Sequence, residues 1–146
     1  MTGVDSAVPQ VGTQGPTRQF GPLTTRMFAR YAGASGDFNP MHYDDTLARS
    51  AGYPSVFSQG MHSAALLASY AVDWLGAANV RRFRVRFQEQ VWPGDVLTCA
   101  GEVTAVVQRA DGWFVTADLT ATRSNGGVAI GASADFLLPA WPYPGI

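Results

Sequence analysis

The chain has 146 residues, 47% hydrophobic and 14% charged, with a formal net charge of −1; that length suits one domain burying roughly two-thirds of its unfolded surface. All ten basic residues are Arg, so Schiff-base chemistry, lysine-anchored cofactors and a phosphate-gripping P-loop are excluded. One Cys and two His are too few for a structural zinc site or an internal disulfide, and the near-neutral charge lacks the basic excess of a nucleic-acid binder.

Residues 1–15 have neither a basic start nor a continuous apolar run, so they read as a flexible N-terminal arm rather than a secretory signal. The domain proper is expected over 16–138. Thr24 or Thr25 can cap a short helix reaching Ala32, with Gly33 near its end. The next segment, Ser35-Gly36-Asp37-Phe38-Asn39-Pro40-Met41-His42, cannot be continuous helix, because Pro40 pushes Asn39 to an extended conformation. Asp44 or Asp45 can start a second short helix over 46–51, stopped by Gly52 and Pro54.

Residues 60–75 (GMHSAALLASYAVDWL) are the longest helix candidate. Apolar and small side chains lie nearly all round it, the mark of a buried helix. Ser58 is a plausible N-cap and Gly76 a plausible stop. Ser69 and Asp73 interrupt the apolar run, so it does not read as a bilayer span; a cytoplasmic protein without membrane contact is the expectation.

The second half alternates. Phe83, Val85 and Phe87 face one way and Arg82, Arg84 and Arg86 the other, the period-two pattern of a half-buried strand. Long strands are expected over 96–107, 113–123 and 128–138, separated by turns at Ala110-Asp111-Gly112 and Ser124-Asn125-Gly126-Gly127. One buried helix followed by antiparallel strands gives an α+β domain. The tail, 139–146, is Pro-rich and expected to be irregular.

Asp37 and His42 stand five residues apart on a loop stiffened by Pro40. A carboxylate that orients water beside an imidazole that exchanges protons near neutral pH is an acid–base pair. The same residues could instead cap a turn and pack against the next helix. At Gly60, the first turn of the long helix leaves N–H groups unpaired, and the missing side chain lets an oxygen approach them. That suits stabilisation of a developing oxyanion, although a Gly could also serve only for tight packing of the helix start.

The segment from Tyr31 through Gly36-Asp37-Phe38-Asn39-Pro40-Met41-His42-Tyr43-Asp44 resembles the signature loop of the MaoC-like (R)-specific enoyl-CoA hydratases. Gln59-Gly60-Met61 and Val85-Arg86-Phe87…Val91-Trp92-Pro93-Gly94-Asp95 look like later parts of that family. The resemblance covers about residues 20–138. It implies a hot-dog fold, a long helix wrapped by a curved antiparallel sheet, assembled at least into a homodimer, with a heteromer also compatible. It implies reversible hydration of a trans-2-enoyl thioester to the (R)-3-hydroxyacyl thioester. By position, Asp37 and His42 would be catalytic, the Gly60 N–H would polarise the thioester carbonyl, and Asn39, Ser58 and Gln59 would help bind substrate. No metal or other cofactor is implied; coenzyme A or an acyl-carrier arm would be the substrate's handle.

Family members commonly carry a His where this chain has Gln59, and some carry a Ser where it has Ala68. Two other readings accompany the hydratase: a hot-dog acyl-CoA thioesterase, and a non-catalytic acyl-binding subunit of a two-chain hydratase. Among the remaining residues, His62 reads as a packed histidine and Arg82, Arg84 and Arg86 as a solvated face that could instead meet phosphates. Cys99 reads as a buried structural thiol. Ser35 and Ser63 lack nucleophile-elbow context.

Overall fold

Thr24 opens the helical part of the chain: its side chain accepts a hydrogen bond from the Met27 N–H (3.3 Å) and starts α1, Thr25–Ser35. The structure, a computed structural model, describes residues 8–139. Most of the expected tail, 140–146, and the first seven residues of the expected arm lie outside the described residues. Phe28 and Ala32, one turn apart, are the buried face of α1. The helix runs past Gly33 and ends at Gly36, one turn later than expected. Gly36 takes the left-handed conformation (φ 76°) and returns its N–H to the Ala32 carbonyl. Glycine inside a helix costs only about 1 kcal/mol, so the stop falls where positive φ is needed. A short 3-10 turn, Pro40–His42, leads to α2, Asp45–Ser50, capped by Asp44.

The long helix α3 spans Gly60–Leu75, as the apolar run requires. Two expectations about it are corrected. Ser58 is not the N-cap; Gln59 holds that position without a side-chain cap, and the Ser58 hydroxyl lies instead 3.0 Å from His62 Nδ1. The helix is also not buried on every face. Met61, Ala65, Ser69 and Asp73, spaced four apart, form an exposed stripe, while His62, Ser63, Ala64, Leu67, Tyr70, Ala71 and Leu75 are buried. Ser69 and Asp73 mark this face in the sequence, whereas Met61 and Ala65 carry no polar marker.

Behind α3 lies one five-stranded antiparallel sheet, ordered β1-β3-β4-β5-β2. Its strands are β1 Arg18–Phe20, β2 Val80–Phe87, β3 Leu97–Arg109, β4 Gly112–Thr122 and β5 Val128–Pro139. The core packs Phe28, Leu67, Tyr70 and Ala71 against Leu97, Cys99, Leu119, Ala134 and Phe136. Close approach needs small residues: a Cβ on Gly101 would lie 2.6 Å from Leu119 and 2.9 Å from Trp74. The arrangement is the hot-dog fold, in the α+β class.

The strand β1 has no counterpart in the sequence reading, because three residues are too few to show alternation. The expected loose arm also begins to order earlier: Gly12 and Gly15 donate to the Val103 and Gly101 carbonyls of β3, and Thr13 accepts from Val103. At the opposite edge, among the described residues, β2 pairs only with β5. Its Arg82, Arg84 and Arg86 are exposed while Phe83 and Val85 are half-buried, as the alternation requires. Phe87, ending the strand, is 52% exposed and lies over the start of α3.

Candidate active site

The loop after α1 is held by its own polar groups. Asp37 N–H donates to Ser35 Oγ (3.1 Å), Asn39 N–H donates to Asp37 Oδ1 (3.3 Å), and the Tyr43 hydroxyl donates to the Phe38 carbonyl (3.1 Å). These bonds occupy one Asp37 oxygen and leave Oδ2 facing His42 Nε2 at 3.7 Å. The Asp37 side chain is 45% exposed and that of His42 only 9%, so the pair has one solvated member and one sheltered member. His42 Nδ1 lies 2.8 Å from the Phe57 carbonyl. A carbonyl only accepts, so Nδ1 carries the hydrogen and the neutral ring presents its Nε2 lone pair towards Asp37.

Phe57 then connects this pair to α3. Its ring meets the His42 ring edge-on (centroids 5.3 Å apart) and lines a cavity of about 300 Å³ at the helix start. Gly60, Ser58, Ser63, Phe87, Val91 and Ile130 form other parts of that wall, and neither Asp37 nor His42 borders it. Phe57 therefore touches both features: its carbonyl and ring meet His42 of the Asp37–His42 pair, and it shares the pocket lining with Gly60, the first residue of a sixteen-residue helix. Among the described residues no acceptor pairs with the Gly60 N–H. It is available to a ligand oxygen, with the helix dipole behind it.

Residues 7–125 match the model of the MaoC-like domain family. The chain belongs to that family. It is 36% identical over 63 residues to the peroxisomal hydratase-dehydrogenase-epimerase of Saccharomyces cerevisiae, covering 43% of this chain and 7% of that protein. The curated relatives it matches are much longer; the chain spans 4% to 7% of their length. Among solved structures, the (R)-hydratase from A. caviae involved in PHA biosynthesis superposes with a TM-score of 0.79 at 25% identity, covering 93% of this chain and all of that one. The ChsH1-ChsH2 complex of Mycobacterium tuberculosis gives 0.78 at 22% identity, covering 90% of this chain and 99% of that one, a likeness of fold.

Within this MaoC-like domain the remaining expected site residues separate. The Asn39 side chain accepts from the Met41 N–H (3.2 Å) and caps the 3-10 turn, which places it in the loop's scaffold. Gln59, 1% exposed, donates from Nε2 to the Phe28 carbonyl (2.9 Å) and so points at α1, away from the cavity. Ser58 does line the cavity. His62 packs between Tyr31 (5.0 Å) and Phe28 (6.2 Å), and its burial lowers its pKa from the ordinary imidazole value. Ala68 and Ser69 are respectively half-buried and exposed; the Ser69 hydroxyl donates to the Ala65 carbonyl.

Cys99 is fully buried, and desolvation pushes its thiol up to about 11. Among the described residues, no three His, Cys, Asp or Glu side chains come together as a metal site, and no helix is long and apolar enough to cross a membrane. Two contributors had no sequence signal. The Phe57 carbonyl acts through its backbone, and Ser63 comes to the cavity wall only through the packing of α3 on the sheet.

Proposed function

We propose that this MaoC-like domain reversibly adds water to a trans-2-enoyl thioester, giving the (R)-3-hydroxyacyl thioester. The observation that carries the reading is the placement of His42: its Nδ1 lies 2.8 Å from the Phe57 carbonyl, so the neutral ring holds its hydrogen there and turns the Nε2 lone pair to the Asp37 carboxylate. Their 3.7 Å separation exceeds a direct hydrogen bond and suits one water bound to both.

In the hydration direction, Nε2 takes one proton from that water while its oxygen bonds to C3 of the substrate. Electron density moves through C2 to the thioester oxygen, where the Gly60 N–H stabilises it. The proton on Nε2 then returns to C2, so the elements of water are divided between C3 and C2. Asp37 orients the water and stabilises the transient imidazolium. The thioester handle is coenzyme A or an acyl-carrier arm. The likeness to the yeast and A. caviae hydratases agrees with this chemistry.

Phe38, Met61 and Phe87 are each more than half exposed, and among the described residues β2 leaves one sheet edge unpaired. Exposed apolar residues and an open sheet edge mark a surface for association. A homodimer, or a pair with a related chain, would cover it.

The test is incubation with crotonyl-coenzyme A and chiral analysis of the product. Loss of the enoyl absorbance with formation of the (R)-3-hydroxy product is expected. Release of free thiol without hydration would identify a thioesterase, and tight binding without turnover would identify an acyl-binding subunit.

A further inference from the structure

Ser63 is one turn into α3, 2% exposed, and its Oγ has no hydrogen-bond partner among the described residues. A helical serine ordinarily returns its hydroxyl to the carbonyl four residues earlier, as Ser69 does to Ala65 on the same helix (2.9 Å). For Ser63 that acceptor is the Gln59 carbonyl, which already faces the His62 N–H (3.1 Å), the Ser63 N–H (3.4 Å) and the Ser58 hydroxyl (3.3 Å). The carbonyl is crowded, and Ser63 is one of the residues that line the cavity. Its apolar neighbours on that wall, Phe57, Phe87, Val91 and Ile130, offer it nothing.

A buried hydroxyl left without a partner is unfavourable, so a ligand that supplies an acceptor is preferred over one that does not. The Gly60 N–H is assigned to the thioester oxygen and the Ser58 hydroxyl is engaged with His62, which leaves Ser63 for another part of the substrate. Of the lining residues, Ser63, Val91 and Ile130 are buried, whereas Gln88, Glu89 and Gln90 are exposed and polar. The thioester handle must leave towards solvent, past the exposed residues, so the buried ones, Ser63 among them, are left to the acyl group.

We propose that Ser63 determines acyl specificity: its hydroxyl donates to an oxygen on the acyl group, and the site favours short enoyl thioesters carrying a hydroxyl near C4 or C5 over their plain alkyl counterparts. A cavity of about 300 Å³ is at the small end for ligand sites, in keeping with a short chain. The proposal rests on the hydratase reading and deepens it.

The test compares isosteric pairs of coenzyme A thioesters: 4-hydroxy-2-butenoyl with 2-pentenoyl, and 5-hydroxy-2-pentenoyl with 2-hexenoyl. For at least one pair the parent protein should show kcat/KM at least roughly tenfold higher for the hydroxylated member. Ser63→Ala should bring that ratio close to one while still hydrating the alkyl substrates, and Ser63→Thr, which keeps the hydroxyl, should retain the preference. A parent that hydrates both members of each pair equally would overturn the proposal and leave the hydratase reading standing. So would a Ser63→Ala variant that slows all four substrates by one common factor, which would place Ser63 on the shared thioester arm. Failure of the parent to hydrate any of the four would overturn both.

Discussion

His42 Nε2 and Asp37 Oδ2 are 3.7 Å apart, with the other imidazole nitrogen bound to the Phe57 carbonyl and the other carboxylate oxygen bound to the Asn39 N–H. Each group is thus held from behind by backbone and left free in front. The spacing fits one shared water better than a direct bond, and the chain supplies both anchors from the loop 35–42 and the segment just before α3.

Gly60→Pro removes the N–H assigned to the thioester oxygen while leaving the helix able to form. Proline is tolerated at the first helical position, and the extended Gln59 backbone (φ −58°, ψ 135°) suits a residue before proline. A Cβ at this position would lie 3.0 Å from the exposed Phe87 ring, which must turn aside. Steady-state hydration kinetics should show kcat reduced by about 10²- to 10³-fold, with Gly60→Ala, which keeps the N–H, far less affected. Equal losses in the two variants would mean the N–H has no role.

The lowered pKa of His62 makes stability depend on pH. Burial favours its neutral form, so below the ordinary value near 6.5 the unfolded chain binds more protons than the folded one. The stabilising contribution is therefore complete above that value and is lost as pH falls from there through the lower folded value. Urea midpoints measured at pH 7.5 and at successively lower pH should fall less steeply in His62→Gln than in the parent. Identical slopes would contradict the linkage.

Tyr70 is 1% exposed, its hydroxyl has no partner among the described residues, and burial pushes its pKa up to about 12. Replacing an unsatisfied buried hydroxyl by hydrogen is neutral or favourable. Thermal denaturation of Tyr70→Phe should give a midpoint equal to or above the parent's, with a gain of up to about 1 kcal/mol. A clear drop would reveal a hydrogen bond that this packing does not contain.

Arg123 joins the hairpin between β4 and β5 to the segment behind the cavity rim. It donates to Asp95 Oδ2 (2.8 Å) and Glu89 Oε2 (2.9 Å), and Asp95 also accepts from the Trp92 N–H (2.9 Å). The Arg123 and Asp95 side chains are each only 14% exposed. Arg123→Ala should lower stability by about 1.5 to 3 kcal/mol, as for lost hydrogen bonds to charged groups. It should also raise KM, because Glu89 and its neighbours line the pocket. Unchanged stability in denaturant titration would show that the pair is solvent-screened.

The sequence was most legible where its periodicity was long. Residues 60–75 and the three long strands carried enough turns or alternations to place them within a few residues, and the Asp37–His42 spacing with Pro40 marked the loop. What failed was short or inward. The strand β1 has only three residues, and Gly33 resembled a stop although Gly36 supplies the positive φ. The substrate contact that the resemblance implies for Gln59 has no sequence test, since which way its side chain points is set by packing; here it reaches the Phe28 carbonyl. The Phe57 carbonyl and the unpaired Ser63 hydroxyl depend on tertiary packing and leave no trace in composition or spacing.

The central claim is that Asp37 and His42 together deliver water to C3 and a proton to C2. Its most direct test is the kcat for hydration of crotonyl-coenzyme A by Asp37→Asn, His42→Gln and the double variant, each checked for a native fold. Each single variant should lose about 10²-fold or more, and the double variant little beyond the worse single one, since the two groups act on one water. Parent-like hydration by either correctly folded single variant would contradict the account.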